Sequence, residues 1–136
     1  DYALRVLLYA ACNEDKLVNI GNIADVYQIS KSHLMKVVPV LVKGGFIESI
    51  RGNRGGLRLA KPPEEIVIGQ VVRQTESFIL VECFGSNNQC HITPTCRLAH
   101  VFDGANKAFL HYLDSFTLAD ILTHDLLPYL SEEPIT

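Results

Sequence analysis

Residues 20–45 of this chain read IGNIADVYQISKSHLMKVVPVLVKGG, and residues 46–60 read FIESIRGNRGGLRLA. The first segment predicts two helices and a turn, because the Ser30 hydroxyl can cap a new helix by accepting from a free backbone N–H group. Four apolar residues of this second helix share one face, at Leu34, Val37, Val38 and Leu41. We therefore expect a helix-turn-helix at about residues 21–44, with Pro39 bending the second helix or ending it early.

The second segment predicts a β-hairpin at about residues 46–60, with the tight basic loop RGNRGG at its tip. A helix-turn-helix followed directly by a basic hairpin is typical of a winged helix. A loop that binds nucleotide phosphates is the rival interpretation of the glycines. That loop would need a Gly-Lys-Ser/Thr ending and a following helix, which this stretch does not offer.

The charge distribution favours DNA binding by the first half of the chain. Residues 1–62 carry nine Lys/Arg and five Asp/Glu, whereas residues 63–136 carry three and ten, although the whole chain has a net charge of −3. Phosphate neutralisation depends on local positive charge. We predict DNA contacts from the second helix and the hairpin loop, at Ser30, Lys31, Ser32, His33, Lys36, Arg51, Asn53 and Arg54.

A long apolar stripe predicts a C-terminal helix that pairs two subunits. It recurs with helical periodicity at Leu98, Val101, Phe102, Ala105, Ala108, Phe109, Tyr112 and Leu113. Packing within its own domain is the alternative. Thr117 to Asp120 resembles a capping sequence that opens a last short helix, and we expect the tail after Pro128 to be frayed.

The predicted fold class is mainly α with a small β-hairpin wing: a winged helix-turn-helix DNA-binding domain plus a long C-terminal dimerisation helix. We divide the chain into a DNA-binding domain (1–75), a cysteine loop (76–97), and a dimerisation helix with a C-terminal segment (98–136). The chain shows no apolar stretch of membrane-spanning length and no secretory leader, and its four cysteines fit a reducing compartment, so we expect a cytoplasmic protein without a membrane partner.

Three cysteines in the polar loop, Cys83, Cys90 and Cys96, are candidate metal ligands. Six and five residues separate them. Structural zinc prefers closer pairs, and a disulfide would leave one cysteine over, whereas iron-sulfur clusters accept wider spacing and prefer thiolates. The fourth ligand could be Glu82, His91, His100 or Asp103, and the sequence does not choose among them. We expect Cys12, at the end of an apolar run, to lie in the core.

The sequence offers no set of nucleophile, base and orienting group, so we predict that the protein is not an enzyme. Two alternatives to a cluster-binding regulator remain. One is a zinc-stabilised winged-helix regulator or protein-interaction module without redox sensing, and the other is a small redox protein.

Five segments resemble the nitric oxide-sensing repressors of the Rrf2 family, which are winged-helix iron-sulfur regulators. The segments are DYALR (1–5), SKSHLMKVV (30–38), RGNRGGLRLAKP (51–62), CHITPTCRL (90–98) and YLDSFTLAD (112–120). The sister regulators of cluster assembly have a histidine three residues after the last cysteine. That residue is Ala99 here, which counts against that identity.

The resemblance implies a homodimeric repressor that binds a double-stranded DNA operator, with nitric oxide as effector, and controls nitrosative stress genes. It further implies that Cys83, Cys90 and Cys96 hold an iron-sulfur cluster, 4Fe-4S favoured over 2Fe-2S. Asp1 of the partner subunit is expected to complete the ligand set.

Overall fold

The computed structural model describes residues 2–76 and 82–132, apart from the side chain of Glu82. Its helices are, in chain order, α1 (Tyr2–Cys12), α2 (Ile20–Tyr27), α3 (Lys31–Lys43), α4 (Ile68–Thr75), α5 (Leu98–Leu113), α6 (Leu118–Ile121) and α7 (Leu127–Leu130). Two strands, β1 (Ile47–Ile50) and β2 (Gly56–Leu59), form an antiparallel hairpin, and single 3-10 turns lie at Pro63–Glu65, Glu82–Phe84 and His124–Leu126. The fold is mainly α with a small wing, as the sequence predicted.

Local capping fixes the helix-turn-helix. The Asn19 side chain accepts from the backbone N–H of Asn22 at 2.8 Å and starts α2. Gln28 ends it in the left-handed conformation, with φ of 56°. The Ser30 hydroxyl then accepts from the His33 N–H at 3.2 Å, which is the predicted cap of α3.

Pro39 does not end α3 early, so that half of the expectation was wrong, whereas the bend at Pro39 stays a prediction. The helix continues to Lys43, because one missing backbone donor is outweighed by burial on both sides of the proline. Leu34, Val38 and Leu41 are all buried in the core, whereas the Pro39 side chain is exposed.

The wing is joined to the helix-turn-helix by backbone hydrogen bonds. Val18, which lies just before α2, exchanges two such bonds with Leu57 of β2, at 2.9 and 2.7 Å. At the tip of the hairpin, Gly52 has φ of 114°, a conformation that favours glycine. The hairpin is therefore held in a defined position beside α2.

The C-terminal segment is ordered as far as Glu132, so the expected fraying after Pro128 was wrong over the described residues. Leu130 is only 5% exposed and packs in the core. The Asn13 side chain donates to the Leu130 carbonyl at 2.8 Å and accepts from the Glu132 N–H at 2.8 Å. The polar contacts of Asn13, directly after α1, hold this segment in place. The spacing of apolar residues along the sequence could not predict such contacts.

Cys12 is half-buried and packs against the core, as expected. Within the described ranges, none of the helices combines the length and the apolar character that a bilayer crossing needs.

Candidate DNA interface and cysteine loop

The first turn of α3 presents polar side chains to solvent. Lys31, Ser32, His33 and Lys36 are exposed, and the Ser32 hydroxyl lies 2.8 Å from that of Ser30. Ser30 is already engaged as the helix cap. The side chains best placed to reach a partner are therefore those that follow it, and the helix offers them at its N-terminal end, where DNA-reading helices make base contacts.

His33 has a second contact that the sequence did not indicate. Its ring packs edge-on against the ring of Tyr2, with centroids 4.5 Å apart. The Arg5 guanidinium lies over the same Tyr2 ring at 5.4 Å and over the Tyr27 ring at 5.6 Å. The N-terminus of α1 is thus linked directly to the candidate recognition helix. The Tyr2–His33 contact joins residues 31 positions apart, so a pattern within one helix could not predict it.

The tip of the wing carries the other predicted DNA-binding residues. Arg51, Asn53 and Arg54 are all exposed. Arg58, on β2, instead pairs with Glu48 across the hairpin at 2.9 Å, and this hydrogen bond lowers the pKa of the Glu48 carboxyl. The wing therefore leaves the side chains of Arg51 and Arg54 exposed at its tip, whereas Arg58 is engaged within the hairpin.

The three loop cysteines carry free, half-buried thiols. Cys83 lies in the 3-10 turn Glu82–Phe84, and Cys96 lies shortly before α5. A small network orders the chain around Cys90. Its N–H donates to Asn88 at 3.0 Å, and its carbonyl accepts from the Thr93 hydroxyl at 2.8 Å.

Among the described residues, the structure does not bring three of the predicted ligands together. Over residues 2–76 and 82–132, no three His, Cys, Asp or Glu side chains are close enough to hold a metal ion. Asp1 and the side chain of Glu82 lie outside the described part. Of the other candidates, His91 and His100 are exposed, and Asp103 pairs with Lys107 one helical turn away at 2.8 Å.

The donor chemistry of the loop nevertheless fits an iron-sulfur cluster. Three thiols, each uncommitted to a disulfide, lie within 14 consecutive residues that are polar and mostly exposed. Thiolates are the preferred ligands of such clusters. A loop can place its thiolates at iron atoms that occupy different corners of one cluster.

The helix α5 presents much of its apolar stripe to solvent. None of its side chains, all within the described part, is fully buried. Val101 and Tyr112 are 64% and 66% exposed, and Leu98 and Phe109 are exposed as well. An exposed apolar surface of this kind is a candidate interaction site.

Comparisons with known proteins agree with this architecture. The family model Rrf2, described as an iron-dependent transcriptional regulator, matches residues 1–124. The HTH-type transcriptional regulator NsrR of Bacillus licheniformis is 54% identical over 125 residues, which cover 90% of this chain and 87% of the relative. The NsrR of Bacillus subtilis is 50% identical over 125 residues, covering 90% and 86%.

Two solved structures share the fold. The chain superposes on T. potens IscR with a TM-score of 0.66 at 26% identity, covering 89% of this chain and 80% of that one. It superposes on CymR, the global cysteine regulator of B. subtilis, with a TM-score of 0.63 at 24% identity, covering 89% and 90%. The relatives are named as transcriptional regulators, in agreement with the prediction that the protein is not an enzyme.

Proposed function

This chain belongs to the Rrf2 family of DNA-binding transcriptional regulators, and we propose that it is a cytoplasmic homodimeric repressor that senses nitric oxide through an iron-sulfur cluster. One observation carries the proposal. Three free, half-buried thiols share one loop between a winged helix-turn-helix and a helix with an exposed apolar face. This arrangement places candidate cluster ligands between a DNA-reading module and a candidate subunit interface.

The DNA contacts are assigned to two places. Lys31, Ser32, His33 and Lys36 on α3 face a major groove, and Arg51, Asn53 and Arg54 on the wing lie against the sugar-phosphate wall. Their exposure and the positive charge of the first half of the chain support this assignment. Ser30 contributes by capping α3, which orients the residues that follow it.

Cys83, Cys90 and Cys96 would hold the cluster, with Asp1 of the partner subunit as the remaining ligand. We favour 4Fe-4S over 2Fe-2S, on the family resemblance. When bound, such a cluster would supply iron that can react with nitric oxide. The ligands of this chain decide how firmly the iron is held, and a carboxylate is a less strongly preferred ligand for it than three thiolates.

Dimerisation through α5 explains how a loop outside the DNA-contacting elements could control binding. Two recognition helices read two half-sites about 34–36 Å apart only when their subunits are fixed relative to each other. If the Asp1 carboxylate of one subunit and the cysteine loop of the other share a cluster, its loss removes a link between the subunits. Operator affinity then falls although every DNA-contacting side chain is intact.

Substitution of one ligand tests the proposal. Cys90→Ala protein, prepared without oxygen, is expected to lack the visible absorption, iron and sulfide of the wild-type protein and to bind operator DNA weakly. Cys12→Ala is the matched control, because Cys12 packs against the core outside the loop, and it should keep the wild-type spectrum. A Cys90→Ala protein with a full iron and sulfide content would remove Cys90 from the ligand set, and zinc in place of iron would favour the structural module.

The assignment of Asp1 has its own test. Asp1→Ala protein should retain a cluster that is labile or reacts with nitric oxide at a changed rate, followed by stopped-flow absorption. Unaltered reactivity would move the fourth ligand to Glu82, His91, His100 or Asp103.

A further inference from the structure

The start of α4 and the end of α5 are joined by a short backbone bridge. The Ile68 N–H donates to the Phe116 carbonyl at 2.9 Å, and the Leu118 N–H donates to the Ile66 carbonyl at 2.8 Å. Ile66 and Leu118 are both fully buried. The chain that follows α5 is therefore held against the chain that leads into α4.

A bidentate ion pair between two side chains also joins α4 to the end of α5. We call this ion pair and the backbone bridge together the junction. Arg73 of α4 donates through Nη1 to Asp114 Oδ1 at 2.5 Å and through Nη2 to Asp114 Oδ2 at 2.8 Å. Asp114 caps the C-terminal end of α5. Both side chains are partly exposed, so the pair adds little to stability, but two parallel hydrogen bonds fix the relative direction of the two groups.

Gly69 leaves the space that this geometry needs. A Cβ atom at this position would overlap Asp114 Oδ1 and would lie 3.0 Å from the Asp114 backbone nitrogen. A side chain at residue 69 would push the Asp114 carboxylate aside and, because the backbone nitrogen is also too close, would shift the end of α5 slightly. The close approach of α4 and α5 therefore depends on a glycine here.

These contacts link two parts of the molecule with different tasks. Ile68, Val71 and Val72 bury one face of α4 in the core, where it contacts α1 and α3, and α3 carries the candidate recognition residues. The helix α5 presents its apolar side chains outward. The junction thus lies between the helix that packs on α3 and the candidate subunit interface.

We propose that Arg73, Asp114 and Gly69 are positioning residues that determine which spacing between DNA half-sites the dimer accepts. This inference rests on the proposed function, in which α5 pairs the subunits. Inserting one base pair between half-sites moves them apart by about 3.4 Å and rotates them by about 35°. A dimer with a fixed junction cannot follow that change, whereas a dimer with a loosened junction can.

The experiment measures spacing preference with cluster-loaded full-length protein. The probes are duplexes that the wild-type protein selects from a randomised pool, remade with one base pair added to or removed from the centre. The wild-type protein should lose about tenfold or more in affinity on the altered duplexes. Arg73→Ala and Gly69→Ala should bind all three duplexes within about threefold of one another.

Lys107→Ala is the matched control. It also removes a cation from an ion pair of α5, but its partner Asp103 lies one turn away on the same helix, so the junction is untouched. It should keep the wild-type spacing preference. Thermal melting and the visible spectrum establish that each variant is folded and loaded.

The outcomes separate this inference from the proposed function. If the wild-type protein shows no spacing preference, the paired reading of half-sites fails, and this inference fails with it. If the wild-type protein discriminates and both variants do so equally well, only the role of the junction is overturned. A variant that also loses affinity for a single half-site duplex would show that Arg73 or Gly69 acts on the DNA-binding domain itself, which overturns the inference as well.

Discussion

Glu132 accepts a 2.8 Å hydrogen bond from the hydroxyl of Tyr9, a residue 123 positions earlier in the chain. The same carboxylate accepts from the Asn22 side chain at 3.0 Å, in the first turn of α2, and pairs with Lys16 at 3.4 Å. The end of the described chain therefore supports the first helix of the helix-turn-helix through one acidic side chain.

Replacing Glu132 should destabilise the protein. Glu132→Ala leaves the Tyr9 hydroxyl and the Asn22 amide without this acceptor, and we expect the free energy of unfolding to fall by about 1–3 kcal/mol. Urea denaturation at a fixed protein concentration measures it. Glu14→Ala, at an exposed site, is the control and should change stability by no more than about 0.5 kcal/mol. Equal effects of the two substitutions would contradict the supporting role.

The Glu132 contribution should also depend on pH with a defined sign. Burial alone would raise the pKa of Glu132, but hydrogen bonds from Asn22 and Tyr9 and the charge of Lys16 together lower it below its ordinary value of 4.5. Because the pKa is lower in the folded state, the stabilisation is complete above pH 4.5 and is lost as the pH falls. The stability difference between wild-type and Glu132→Ala protein should therefore be constant near neutrality and shrink in acid. A difference that persists unchanged down to pH 3 would contradict this.

The wing arginines should contribute to the salt dependence of DNA binding. Arg54 is exposed at the hairpin tip, so Arg54→Ala should weaken operator binding and reduce the slope of log affinity against log salt by about 1. Arg58→Ala is the control within the same hairpin, because Arg58 pairs with Glu48. Fluorescence anisotropy at several salt concentrations gives both slopes. An unchanged slope for Arg54→Ala would mean that this part of the wing does not contact phosphate.

The contact between Tyr2 and His33 should influence DNA binding, although Tyr2 is not itself a predicted DNA-contacting residue. Tyr2→Ala removes the ring that packs against His33, and an aromatic pair is worth about 0.5–1.5 kcal/mol, so operator affinity should fall by about two- to tenfold. Tyr2→Phe keeps the ring and should bind as the wild-type protein does. If Tyr2→Ala also binds normally, the first helix does not orient His33 for DNA.

Features that depend on neighbouring residues were predictable from the sequence. The Ser30 cap and the buried face of α3 follow from spacing within one helix. In the segment that opens α6, the Thr117 N–H donates to Asp120 at 2.7 Å, as the capping pattern predicted. The wing followed from β-rich segments around a loop of glycine and arginine. Each of these requires only a few residues to agree on one local geometry.

Features that depend on residues distant in sequence were missed. The order of residues 127–132, the pairing of Tyr2 with His33 and the junction of Arg73 with Asp114 all join segments at least 31 positions apart. The expected early end of α3 failed for a related reason, since the buried Val38 and Leu41, on either side of the exposed Pro39, hold the helix in the core. The predicted ligand set stays a prediction, because its members come from a loop and, by the proposal, from two chains.

Operator binding by one protein preparation in three states tests the central claim most directly. Affinity for the selected duplex is measured anaerobically with the cluster-loaded protein, with protein from which iron and sulfide have been removed, and with loaded protein treated with nitric oxide. We predict that the loaded protein binds about tenfold or more tightly than either of the other states. Equal affinity in all three states, or wild-type protein that contains no iron when it is prepared without oxygen, would contradict the account.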